Sequence, residues 1–189
     1  MHRITLMRHG PPDVSRDVRL ALRDMDRWTA DYNAAGVSQD APIVATAAAE
    51  GATEIFCSTL PRAVDSLSRL GFAAPKPDAV FTELFLPAAP DIGLIAPASR
   101  WLVMLRLAWL AGYAKDCESL AEARARTDRA AGILADAAAR GPTLLMAHGG
   151  TNRMIASAFR KRGWRIEATS PGGFWSHAVL RPPKPENAA

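Results

Sequence analysis

Two of the four histidines in this 189-residue chain share a local setting, an apolar run that ends in His-Gly. Arg8-His9-Gly10 closes the run Arg3 to Met7 (RITLM), and His148-Gly149-Gly150 follows Thr143 to Ala147 (TLLMA). A third run, Thr53 to Cys57 (TEIFC), ends at Ser58 with Arg62 a few residues on, and Ala79 to Phe81 leads to Glu83. Brought together, these positions place two imidazoles, two guanidiniums and one carboxylate in one pocket. Guanidiniums suit planar, bidentate recognition of an anion. Each residue alone also has a structural explanation. Arg8 could satisfy carbonyls after a buried strand, Arg62 could snorkel from a helix, Glu83 could be a solvated loop charge, and His148 could mark a helix entry. His2 and His177 lack the shared setting.

The elements needed to converge these residues can be read from periodicity. The short apolar runs at 3–7, 53–57 and 143–147 predict buried strands, and 79–81 predicts a third in chain order. Leu60, Ala63, Val64, Leu67 and Leu70 recur with helical spacing and predict a helix closed by Gly71. Pro75-Lys76-Pro77 interrupts the chain, and 87–97 reads as loop. Residues 118–140 are rich in Ala, Arg and Glu and predict a long helix stopped by Gly141-Pro142. Residues 151–160 predict another helix, and 173–180 a last strand at the sheet edge. Strands alternating with helices imply an α/β fold, a three-layer α/β/α sandwich on a mostly parallel sheet. Ligands of such sheets bind at the carboxyl ends of the strands, where all four candidate segments end.

Composition removes several classes. Apolar residues make up 49% of the chain and charged ones 22%, which excludes wholesale disorder. The expected organisation is one domain over 1–180, with 87–117 as a small cap insert and 181–189 as a flexible tail rich in proline. Cys57 and Cys117 cannot build a disulfide framework, and no Cys/His cluster suggests structural zinc, so a reducing, cytoplasmic location is expected. No secretory signal is evident at the start. The most apolar stretch, 101–114, carries Arg106 and falls short of the roughly 20 residues of a membrane span, so it reads as a buried helix. The net charge is +4, and only Lys76, Lys115, Lys161 and Lys184 of the 23 cations are lysines. The densest basic run, 160–165, falls at an expected helix end where the dipole accounts for it, and no nucleic-acid surface is expected.

The constellation resembles the histidine phosphatase superfamily, with its phosphoglycerate-mutase-like fold. The stretches that carry the resemblance are LMRHG at Leu6 to Gly10, CSTLPRAVDS at Cys57 to Ser66, TEL at Thr82 to Leu84, ESLAEARAR at Glu118 to Arg126 and LLMAHGG at Leu144 to Gly150. The resemblance implies that His9 is the nucleophile and becomes phosphorylated. It implies that Arg8, Arg62 and His148 hold the phosphoryl oxygens and that Glu83 is the proton donor to the leaving group. Gly149 and the helix start behind it add backbone amides for an anion. The implied activity is metal-independent phosphomonoester hydrolysis with no cofactor, on a small phosphorylated substrate or a phosphoprotein.

The chain also departs from the family pattern. The Thr or Ser that often follows the RHG motif is replaced by Pro12, and an Asn found a few residues on in some members is Ser15. The Thr closing the segment around Arg62 falls at Asp65-Ser66, which reads as a packing change. Phe85, Leu86 and Pro87 make the flank of Glu83 more apolar than is usual for this acid. Two other readings stay open on the same pocket: a non-catalytic phosphate-binding member, and a phosphomutase that returns the phosphoryl group to substrate. A two-histidine metal site is a further reading, without the third ligand or short spacing that common zinc sites have. Selectivity is expected to reside in 11–33 and 87–117, with Trp28, Trp101 and Trp109 as candidates for an apolar leaving-group pocket. The sequence does not indicate an oligomeric state.

Overall fold

The structure is a computed structural model that describes residues 1–44, 46–73 and 76–183. Its centre is a strand, β1 (Ile4–Arg8), whose side chains alternate between two apolar layers. Ile4 and Leu6 point into one core and Met7 into the other, the two-sided burial that an unbroken apolar run predicts. A three-residue strand, β2 (Arg19–Ala21), and a helix, α1 (Met25–Ala34), follow, then one turn of helix, α2 (Thr46–Ala49). The second apolar run forms β3 (Glu54–Cys57), and α3 (Pro61–Arg69) starts immediately behind it with Pro61 in its first turn. The chain continues through β4 (Lys76–Pro77), β5 (Ile95–Pro97), α4 (Ala98–Leu110), α5 (Leu120–Arg140), β6 (Thr143–Ala147), α6 (Gly149–Lys161), β7 (Arg165–Thr169) and β8 (His177–Arg181).

Six strands form one sheet in the order β4-β3-β6-β1-β8-β7. The β4-β3-β6-β1 half is parallel, and β8 and β7 join antiparallel. Leu145 and Ala147 of β6 lie with α5 and α6 on one face. Leu144 and Met146 lie with Ala63 and Leu67 of α3 on the other. This is the three-layer α/β/α arrangement, with its parallel strands ending at Arg8, Cys57 and Ala147 on the same side. A separate two-stranded sheet pairs β2 with β5 antiparallel, Leu20 opposite Ala96. It ties 19–34 to the segment 85–110 around a third core of Leu22, Met25, Ala98, Trp101 and Leu105.

Several expectations are corrected. Residues 79–81 are a 3-10 turn, because the Asp78 carboxylate accepts the Val80 amide at 2.9 Å and turns the chain; the strand lies just before, at Lys76–Pro77. The last strand begins at His177, since Gly173 and Trp175 before it take left-handed backbone angles (φ 123° and 61°), and it lies inside the sheet. The edge is β7, a strand exposed along its whole length and therefore without an apolar signature. Residues 87–97 are not all loop, since Ile95–Pro97 pairs with β2.

The helix at 101–114 runs instead from Ala98 to Leu110, is followed by a left-handed Gly112 (φ 104°), and is only half buried. The long helix starts at Leu120, where Ser119 and Glu122 form a reciprocal capping box. Of the expected tail, Arg181 belongs to β8, and 184–189 lie outside the described residues, as does Pro75.

Candidate active site

His9 is the first residue after β1 and is held from three sides. Its amide donates to Ala147 O at 3.0 Å, its carbonyl accepts the Trp175 amide at 3.2 Å, and the side chain is 1% exposed. Nδ1 lies 2.6 Å from Gly10 O. A carbonyl can only accept, so Nδ1 carries the proton and Nε2 keeps its lone pair. Into that lone pair Arg62 donates from Nε at 3.2 Å. Burial, then the charge of Arg62, then that of Arg8, lower the His9 pKa to about 3, so the imidazole is neutral across the ordinary pH range.

Gly10 is required sterically. A Cβ there would lie 2.5 Å from Cζ2 of the Trp175 indole that closes over it. Its amide donates to Ser66 Oγ at 2.9 Å, and that hydroxyl donates to Arg62 O at 2.6 Å. Ser66 is thus more than a packing change, because it latches the loop that carries His9 to the helix that carries Arg62.

Arg62 lies in the first turn of α3, and 1% of it is exposed. Beyond His9, it donates to Tyr32 O at 3.1 Å and Asn33 Oδ1 at 3.3 Å, and its guanidinium lies 4.9 Å from the centre of the Tyr32 ring. Arg8 closes β1 with its guanidinium 4.5 Å from the Phe174 ring centre. Its buried Nε has no hydrogen-bond partner among the described residues.

His148 ends β6 as the N-cap of α6 and is fully buried, its ring 5.0 Å from that of His9. Nε2 meets Ser58 Oγ at 2.8 Å, and that oxygen already accepts the Leu60 amide at 3.2 Å. With the Ser58 proton donated to Nε2, the His148 proton sits on Nδ1, which lies 3.7 Å from Glu83 Oε2 and has no closer partner among the described residues. Burial, followed by His9 and the two arginines, holds the His148 pKa well below its ordinary value.

Glu83 follows the 3-10 turn. The carbonyl of Thr82 just before it accepts Thr151 Oγ1 at 2.8 Å and Arg126 at 2.9 Å, and Arg126 is itself paired to Glu118. The Leu84 amide donates to Glu83 Oε1 at 3.0 Å. A Cβ on Gly150 would come within 3.2 Å of that oxygen, so the glycine leaves room for the carboxyl at the start of α6. Burial raises the Glu83 pKa, against the pull of the Leu84 amide and of Arg106, Arg62 and Arg8. A carboxyl so placed holds its proton to a higher pH than a free glutamate does.

All five expected side chains therefore converge, with Gly149 beside Arg8. Pro12 is buried and bridges Val37, and the Ser15 hydroxyl accepts the Asp17 amide, so neither takes the place that the resemblance gives to Thr or Asn. Among the described residues, no three His, Cys, Asp or Glu side chains come together as a metal site would need.

Arg8, Arg62, Glu83, Gly149 and Gly150 line a cavity of about 430 Å³ that extends to Trp28 of α1 and to α4. Trp101 and Trp109, in contrast, are core side chains whose indoles donate to Leu20 O and Glu118 O. Sequence reasoning did not find Tyr32, Asn33, Arg16 or Arg153, which all line the cavity. Their only signal was membership of the segment at 11–33 or of the helix after His148.

Solved structures with the same fold include Rv3214 from Mycobacterium tuberculosis, at 16% identity and TM-score 0.61 over 94% of this chain and 90% of that one. TTHB049 from Thermus thermophilus matches at 19% identity and TM-score 0.56, over 94% and 92% of the two chains. The ecdysone phosphate phosphatase of Bombix mori, in complex with tungstate, matches at 15% identity and TM-score 0.56, over 96% and 89%. No curated protein matches at a significant level. The sequence profile of the histidine phosphatase superfamily (branch 1) matches residues 4–170, from the first strand to just past β7, and so the chain belongs to that superfamily.

Proposed function

We propose that this chain is a metal-independent phosphomonoester hydrolase that works through a phosphohistidine on His9. The observation that carries the reading is the His9 ring itself, with its Nδ1 proton committed to Gly10 O and a neutral Nε2 beside two guanidiniums. Nε2 attacks phosphorus in line with the ester oxygen, the N–P bond forms, and the P–O bond to the alcohol breaks. Arg8, Arg62 and the Nδ1–H of His148 stabilise the charge on the three equatorial oxygens, which is the main demand of phosphoryl transfer. Glu83 gives its proton to the leaving oxygen and then takes one from the water that attacks the phosphohistidine. The N–P bond breaks, phosphate departs, and both groups return to their starting state.

Glu83, at the strand ends with its pKa raised by burial, supplies the proton donor that turnover needs. The reading takes a small phosphorylated molecule as substrate and needs no cofactor. A cytoplasmic location goes with it, supported by the two free cysteines, Cys57 and Cys117. Hydrolysis of 4-nitrophenyl phosphate in excess chelator tests the proposal. Turnover by the wild type, lowered ~10⁴-fold or more in His9→Ala, is expected. Undiminished activity in the variant overturns it.

A further inference from the structure

α4 is apolar on two faces, and one helix stripe is all that packing requires. Trp101, Leu105 and Trp109 recur every four residues and are buried, the first two against Leu22 and Met25 and the third against Leu84 and Ala123. The second face, with Leu102, Val103 and Leu107, lines the catalytic cavity, where Val103 and Leu107 remain 60% and 61% exposed. Large apolar side chains held in water beside a catalytic site mark a surface waiting for an apolar ligand.

The polar groups of the cavity gather at its other end. Arg16 and Arg153 both act electrostatically on Arg8, which places them near the phosphoryl position. Arg106, the cation of α4 that lines the cavity, is turned to the backbone, donating to Leu84 O and Phe85 O with its guanidinium 4.9 Å from the Trp109 ring centre. The two ends are joined by stacking. The Trp28 ring lies 5.1 Å from Tyr32, and Tyr32 lies under Arg62.

We propose that the site takes phosphomonoesters of bulky apolar alcohols, with the alcohol lying against Val103 and Leu107 of α4 and against Trp28. The proposal rests on the hydrolase reading for its phosphoryl end, and adds the class of leaving group. It also accounts for a helix so apolar that its sequence suggests full burial.

A homologous series of ethyl, butyl, hexyl and octyl phosphate tests it, with glycerol phosphate as a polar reference. Moving one methylene out of water is worth about fourfold at full burial, so kcat/KM is expected to climb two- to fourfold per methylene. Calorimetric binding of the matching alkylphosphonates, which need no turnover, should climb in parallel. Val103→Asn and Leu107→Asn, at positions more than half exposed, should each cut the octyl-to-ethyl ratio about tenfold. Leu110→Asn, on the same helix and outside this cavity, should leave the ratio as in wild type. A flat series in both turnover and binding, or glycerol phosphate outrunning butyl phosphate, overturns the proposal. A binding slope without turnover upholds the apolar site and overturns the hydrolase reading, and turnover with no slope does the reverse.

Discussion

The two ends of the cavity are built by opposite means. At the strand ends, the polar groups of the proposed phosphoryl cradle are buried or half-buried and most are tied down: His9 to Gly10 O, Arg62 to Tyr32 O, His148 to the Ser58 hydroxyl, Glu83 to the Leu84 amide. At the α4 end the groups are apolar, exposed, and carried by a three-residue strand pair. The first arrangement is preorganised for charge that develops in a transition state, and reorganising it would cost rate. The second contributes only contact area, so it can vary without touching the chemistry. On the proposed reading, catalysis and selectivity fall to separate pieces of chain that meet at Tyr32 and Trp28.

Breaking the cradle should lower turnover of every ester, whereas altering α4 should change only the ranking of esters. Glu83→Gln has the largest expected effect of the substitutions within this comparison, about 10²- to 10⁴-fold on an alkyl phosphate. The loss should be much smaller on 4-nitrophenyl phosphate, whose leaving group departs without a proton. Because the Glu83 pKa is raised and that of His9 is lowered to about 3, wild-type activity should fall as pH rises through the Glu83 titration, while no loss from His9 protonation appears until far lower pH. A pH–rate profile of Glu83→Gln that keeps the same alkaline fall would remove this assignment.

Arg62→Lys should come next, at about 10²- to 10³-fold, since an ammonium cannot reach His9, Tyr32 O and Asn33 together. The decrease should be the same factor for ethyl and octyl phosphate. A change confined to long-chain esters would show that the two ends are not separate.

The smallest effect concerns stability. His9 and His148 are neutral and buried in the fold but take up protons near pH 6.5 when unfolded, so folded pKa values are depressed and their contribution is present above that pH. It is lost as pH falls from 6.5 toward 3, while Glu83, raised in the fold, acts in the opposite sense. In urea titrations His9→Gln should flatten this acid loss by up to about 1.4 kcal/mol per pH unit. Parallel curves for wild type and variant would contradict the buried neutral imidazole.

The contrast between the two ends also decides what could be read from sequence. β1 and β6 are packed on both faces, so their runs are continuous in apolar residues and the His-Gly after each stands out. β7 is exposed throughout and offers no alternation, and the turn at 79–81 depends on one Asp78 side chain overriding an apolar triplet. Two partners of Arg62 come from α1, a helix tied before its start by the pairing of β2 with β5 far along the chain and past its end by the Pro12–Val37 bridge. Two strands of three residues leave no period to detect. The apolarity of 101–114 was visible, but one stripe of it faces the core and the other the cavity, and composition does not separate them.

Rapid quenching of the enzyme with ³²P-labelled substrate tests the central claim most directly. Label is expected on the protein within one turnover, stable to base and released by acid, mapped to His9 and missing from His9→Ala. Steady hydrolysis by wild type with no protein-bound phosphate at any quench time, or label on another residue, would contradict it.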